Sequence, residues 1–484
     1  MEVRTLLITG NGLDLKSELK STYFNFFSQK NKIINDLYHF EKIYDSLFIT
    51  TIDEEVNTFE EDLHNRCLSI YMLEKWMEQY YFLNAEDNKN KDSIELDENV
   101  SQFFNHIQNV LKNNDYSYWL LPNVMKQEIS KNWNGIEEEM SKYIHELSKG
   151  NDFMSGFKEL KTSLEHKCFK NNKEDDSEDG DKNGTKDSSK EDSCVNFNLF
   201  MIIAGFVFRN KDIIIKRAED KFRREIDLNP EIEDYIKNEF FESVININID
   251  EFLISELNKL EDLFSDYLKY EVDRKDYKNN VIKNIYNIVG LEPVNILNFN
   301  YTDYGNYLKN CDLRYRINLN KIFNIHGSLN DHIIFGIDNS PKDFQCKNIH
   351  VPMFTKTYRI MSRTSKAKMF ESNDRFYNND ISYLADQSYD VIKFFGHSLS
   401  GADYSYFQSI FDKLDLYNSA VILEFYYSNH RKDNEYPDRD MHKVENNVFS
   451  LLSRYGETLD NKSRGNNLMH KLLVEGRLVI KELK

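Results

Sequence analysis

Apolar and polar positions follow two regimes along the chain. Near the N-terminus, and again from about residue 285, short apolar runs stop abruptly in small or polar clusters. Thr5-Leu6-Leu7-Ile8-Thr9 is followed by Gly10-Asn11-Gly12-Leu13-Asp14, and Ile296-Leu297-Asn298-Phe299 by Asn300-Tyr301-Thr302-Asp303. Ile322-Phe323-Asn324-Ile325 leads into His326-Gly327-Ser328-Leu329, and Val391–Phe395 into Gly396-His397-Ser398-Leu399. Residues 421–425 lead into Tyr426-Tyr427-Ser428-Asn429, and a last strand-like run, Leu478-Val479-Ile480, lies near the C-terminus. Near-continuous apolar runs with helical connections between them predict strands buried on both faces of a parallel sheet.

Between residues 31 and 284 the period changes to that of a helix. Val100, Phe103, Phe104, Ile107 and Leu111 share one helical face, and Leu253, Leu257, Leu260, Phe264 and Tyr267 repeat at alternating steps of 4 and 3. Val444, Val448, Leu451 and Tyr455 predict a further helix, ended by Gly456. Residues 171–193 carry no apolar side chain and are expected to form a disordered acidic loop. The predicted fold is α/β. A Rossmann-like parallel sheet core is built from residues 1–30 and 285–484, and a large α-helical insertion at 31–284 interrupts it.

Composition narrows the function classes. Lysine and arginine total 62 against 81 acids, so the net charge is 62 − 81 = −19. That balance argues against a protein that coats nucleic acid or docks on anionic lipid. The five cysteines stand far apart with no CxxC pair, which excludes a zinc ribbon or disulfide framework and suits a reducing cytoplasm. No secretory signal pattern opens the chain and no run of about 18 apolar residues occurs, so no membrane span is expected.

In open parallel sheets ligands bind outside the carboxyl ends of the strands, where the polar clusters fall. Gly10-Asn11-Gly12 suits a backbone that approaches phosphate, with the amides of the next helix aimed at it. A GxGxxG fingerprint would need glycine where Leu15 stands, and GxG alone is also an ordinary tight turn. His326 fits a general base or a turn-capping histidine equally well. His397 precedes Ser398, for which capping of the following helix is the stronger reading. Asp303 and Asp403 each lie just after a strand end, as helix caps, ribose ligands or both. No GxSxG and no HExxH occurs, and the histidines of the helical zone have no metal-ligand spacing, so no metal is expected. Lys356 and Arg359 could reach phosphates from a rim; a solvated pair is the slightly stronger reading.

Taken together, these clusters resemble the abortive-infection AbiH family of bacterial anti-phage proteins. The resemblance rests on Ile8-Thr9-Gly10-Asn11-Gly12-Leu13-Asp14-Leu15 with Thr22-Tyr23, on Trp133-Asn134-Gly135-Ile136-Glu137, and on Asn298-Phe299-Asn300-Tyr301-Thr302-Asp303. It continues in Ile325-His326-Gly327, Phe335-Gly336-Ile337-Asp338 and Phe395-Gly396-His397-Ser398-Leu399. A more distant similarity is to sirtuin-like domains, which bind NAD on a Rossmann-type sheet. It implies catalytic roles for His326 and Asn300 and nucleotide contacts from Gly10, Gly12, Gly396 and Ser398; by their places in the strand-end clusters Asp303 joins the catalytic candidates, and Asn11, Asp14, His397 and Asp403 join the nucleotide-contact candidates. Asn11 and Asp14 stand where sirtuins carry alanine and serine, and the four-cysteine zinc module is missing, which argues against deacetylation.

The resemblance therefore implies a cytoplasmic anti-phage protein that binds a nucleotide and hydrolyses NAD or a related molecule. NAD would be a substrate rather than a required cofactor, and a phage-derived trigger and a homo-oligomer are compatible with it. Two alternatives stand beside it: an effector acting on nucleic acid or a nucleotide second messenger, and a non-catalytic nucleotide-sensing module that recruits a partner.

Overall fold

The apolar runs from the two ends of the chain meet in one sheet. A computed structural model describes residues 4–30, 98–120, 197–224, 232–273, 276–311, 313–337, 350–369, 388–399, 403–429, 439–459 and 462–483, together with 32, 33, 35, 36, 137, 140–142 and 144. The strands are β1 (Thr5–Thr9), β2 (Val294–Asn298), β3 (Leu319–Asn324), β4 (Val391–Phe395), β5 (Ile422–Tyr427) and β6 (Leu478–Glu482). They pair in the order β3-β2-β1-β4-β5-β6, every pair parallel. β1 lies inside the sheet, with Thr9 opposite both Asn298 and Phe395.

The helices are α1 (Asn11–Lys16), α2 (Tyr23–Gln29), α3 (Glu98–Lys112), α4 (Phe197–Phe222), α5 (Ile232–Ile245), α6 (Ile249–Asp273) and α7 (Tyr277–Val289). After β2 come α8 (Gly305–Lys309), α9 (Lys356–Met369), α10 (Tyr404–Lys413), α11 (Arg439–Thr458) and α12 (Lys462–Val474). One sheet face packs Leu7, Val294 and Ile296 into a core shared with α4, α6 and α7. The other packs Leu6, Ile8, Phe323 and Phe394 against α10, α11 and α12. Both faces are covered, which is why these strands read as continuous apolar runs instead of alternating ones.

The seam predicted from Leu253 to Tyr267 is buried along α6. Two helix ends differ from expectation. α7 carries the helical zone on to Val289, where Gly290 closes it. α11 runs through Gly456 to Thr458. A glycine inside a helix costs only about 1 kcal/mol relative to alanine, less than the helix gains by burying Tyr455 beside it. The segment 171–193 lies outside the described residues. Among the described residues no helix is long and apolar enough to cross a membrane.

Candidate functional site

The strand order reverses between β1 and β4, so the turns leaving these two strands part company and open a cleft at the carboxyl edge. Before parting, the turns interlock. The N–H of Gly10 donates to Phe395 O (3.1 Å), that of Gly12 to Gly396 O (2.7 Å), and that of Leu13 to Gly10 O (2.9 Å). A Cβ on Gly12 would lie 2.5 Å from the Gly396 Cα, and one on Gly10 would lie 2.5 Å from the His397 Cα. Gly396 itself has φ +77°, a conformation that favours glycine. Close packing of two turns thus explains all three glycines. The amides of Gly10, Gly12 and Leu13 are thus already hydrogen-bonded within the chain, and α1 is only six residues long.

The cleft has a volume of about 330 Å³. Gly10, Asn11, Gly12, His326, Gly396, His397, Ser398 and Asp403 line it, joined by Glu137, Tyr301 and Lys356. Its chemical centre is Asp403. The residue occupies the N-cap position of α10, yet its carboxylate makes no capping bond. Oδ2 lies 3.1 Å from His397 Nε2, while Oδ1 lies 3.3 Å from Lys356 Nζ and 3.2 Å from His326 Nε2. His397 Nδ1 accepts the Leu399 N–H at 2.9 Å, so its ring proton belongs on Nε2, directed at Asp403. Phe299 holds both imidazoles edge-on, with centroid distances of 4.8 Å to His397 and 5.6 Å to His326.

The charges follow from this packing. Burial alone would raise the Asp403 carboxyl, but the Lys356 charge, aided by the contacts from the two imidazoles, outweighs it and holds the group well below the usual carboxylate range. His326 is held below the ordinary imidazole value, first by burial and then by the Lys356 charge. It is therefore neutral at pH 7. Lys356 is buried as well. Burial would depress it, but Glu137, 3.0 Å away, and Asp403 together raise it above the ordinary lysine range.

Three buried polar atoms at or behind the cleft have no hydrogen-bond partner among the described residues: Asn11 Nδ2, Asn300 Oδ1 and His326 Nε2. His326 Nε2 stands at ion-pair distance from Asp403 but is not aligned for a hydrogen bond. Unpaired buried groups are costly and call for a partner. Among the described residues no group of three or more His, Cys, Asp or Glu side chains is arranged to hold a metal ion.

Other expected site residues face elsewhere. Asn300 is buried just behind the cleft lining and donates from Nδ2 to Gly10 O at 3.0 Å. Asp303 accepts from the Gly305 N–H and from Asn330 Nδ2, both at 3.0 Å, and does not line the cleft. Asp14 points into the core, where it accepts from Tyr277 Oη (2.6 Å) and Thr302 Oγ1 (2.9 Å). Its carboxyl is pushed up to about 7 by burial, against those two hydrogen bonds. Ser398 does not cap α10; it is exposed on the cleft wall, and its carbonyl accepts from Asn447 Nδ2 at 2.9 Å. Lys356 and Arg359 are no solvated pair, since Arg359 is bound to Glu261 and to Phe335 O (2.6 Å).

Sequence reasoning gave no site role to Glu137, or to the α11 positions Asp440, Lys443, Val444 and Asn447 that form the outer wall. The spacing of those four is a helical face, a visible signal; nothing in the pattern around Glu137 links it to the strand ends. No curated protein and no solved structure matches the chain. A family model described as "Bacteriophage abortive infection AbiH" matches residues 6–426, a span that holds every strand turn of the cleft up to β5. The chain therefore belongs to the AbiH family of bacteriophage abortive infection proteins.

Proposed function

We propose that this protein acts in abortive infection by binding a nucleotide in the strand-end cleft and hydrolysing it, with NAD as the first candidate substrate. The observation that carries the reading is a buried, neutral His326 beside an ionised Asp403, at the switch point of a parallel sheet. The strand order is that of Rossmann-type dinucleotide-binding sheets, which supports a nucleotide as ligand. Membership of an abortive-infection family supplies the setting, and a phage-derived trigger fits it.

In this reading the bond between nicotinamide and ribose breaks and a water oxygen bonds to the ribose carbon. His326 takes the proton from that water, and nicotinamide leaves as a neutral base. Asp403 stabilises the imidazolium and, with Glu137, the oxocarbenium-like charge on the ribose. His397 and Lys356 keep Asp403 from turning.

The test incubates purified protein with NAD, ATP and RNA separately and resolves the products by chromatography. NAD loss by wild type, absent in His326→Ala, is the expected result. Intact NAD together with hydrolysis of ATP or RNA would redirect the reading to that substrate. No turnover of any, with nucleotide binding retained, would favour the sensing module.

A further inference from the structure

The motif Phe335-Gly336-Ile337 takes no part in the chemistry above, yet it governs where Lys356 stands. The Lys356 N–H donates to Ile337 O at 3.1 Å, and Ile337 N–H donates to Phe354 O at 2.9 Å. A Cβ on Gly336 would lie 2.6 Å from the Lys356 nitrogen, so only glycine lets α9 begin there. Three residues on, Arg359 fastens the same helix to Glu261 of α6 and to the Phe335 carbonyl. A lysine buried at this cost of close packing has two partners, Glu137 on one side and Asp403 on the other.

We infer that Lys356 is a positioning residue of this site: it fixes Asp403 against the two imidazoles and joins Glu137 to the same cluster. The inference rests on His326 being the base. The groups facing His326 are Asp403, Lys356 and His397, with the Tyr406 ring at 6.3 Å. Remove the lysine, and Glu137 and Asp403 become two carboxylates without their shared cation. The surroundings of His326 are then more negative, which favours a proton on it, and a protonated imidazole cannot act as a base. Remove Glu137 instead, and the lysine charge is less compensated, which disfavours a proton on His326 further. The two deletions act on the base with opposite sign.

The measurement is an NMR pH titration of the full chain labelled at histidine Cε1, with the His326 signal identified by its loss in His326→Gln. In Lys356→Met the His326 midpoint should rise by about 1 pH unit or more. Lys356→Arg should leave it near the wild-type value, and Glu137→Gln should leave it unchanged or lower. An unmoved midpoint in folded Lys356→Met overturns the inference. Should Lys356→Met fail to fold, a raised midpoint in Lys356→Arg or Glu137→Gln overturns it, and the expected values in both sustain it. No substrate enters this titration, so NAD hydrolysis can fail while the opposed shifts stand, and the reverse. If NAD is consumed, the acid limb of the rate profile of Lys356→Met should move upward with the midpoint.

Discussion

At the scale of single residues, the site is defined as much by missing atoms as by reactive ones. Gly12→Ala brings a Cβ to 2.5 Å from the backbone of Gly396, and neither turn can yield without losing the Gly12–Gly396 hydrogen bond. The expected result is a loss of about 1–3 kcal/mol in urea-unfolding free energy. Gly12→Asp should do worse for the same steric reason, with an added unpaired charge. Asp14 gives a second prediction. Its folded value, about 7, lies above its ordinary value of 3.8. The folded state therefore binds the extra proton, and stability is fully present below about pH 4 and declines as pH rises through 7. Near pH 5–6 the slope should approach 1.4 kcal/mol per pH unit from this group. Asp14→Asn, which keeps both hydrogen bonds, should flatten the decline measured by thermal unfolding between pH 5 and pH 8. At this scale the sequence was legible for His326, whose place after an apolar strand marked it. It was not legible for Asp14 and Asp303, because proximity to a strand end does not say which way a carboxylate turns.

Among elements, the weight falls on the contact between α9 and α6. Arg359→Ala strands Glu261, a buried acid that burial pushes upward against the charge and hydrogen bonds of Arg359 and the hydrogen bond from the Phe335 N–H. Unfolding free energy should fall by about 3–5 kcal/mol at pH 8. The deficit should shrink at pH 5, where the abandoned carboxyl can take a proton. Arg359→Lys should recover only part, because one ammonium cannot reach Glu261, Asn258 and the Phe335 carbonyl as the guanidinium does. The strands were legible as elements because burial on both faces writes a continuous apolar run. The α6 seam was legible because its period is regular. The end of α11 was not: glycine signals a helix stop only when nothing packs beyond it.

For the whole molecule, the sequence carried the family and the parallel sheet, but not the strand order that sets the cleft between β1 and β4. Sequence adjacency does not say which distant strand lies beside which. The prediction at this scale concerns infected bacteria. Cells expressing the chain should arrest or die on phage challenge, and His326→Ala should abolish the effect in a plaque assay. If the site works as proposed, loss of its general base should cost about 10²- to 10⁴-fold in rate. A folded His326→Ala protein that still protects would remove His326 from the mechanism.

The central position of β1 also sets a timetable. Both of its neighbours, β2 and β4, are translated long after it. At about 5–20 residues per second, the ribosome needs roughly 15 to 60 s to travel from the end of the first strand to the start of the second. Throughout that interval neither of the two strands that pair with β1 has been made, and the Gly12 turn has no Gly396 to close against. Asp403 emerges later still. The cleft cannot exist before Asp403 has been made, so the nascent chain lacks this site for at least as long as the ribosome takes to reach that residue.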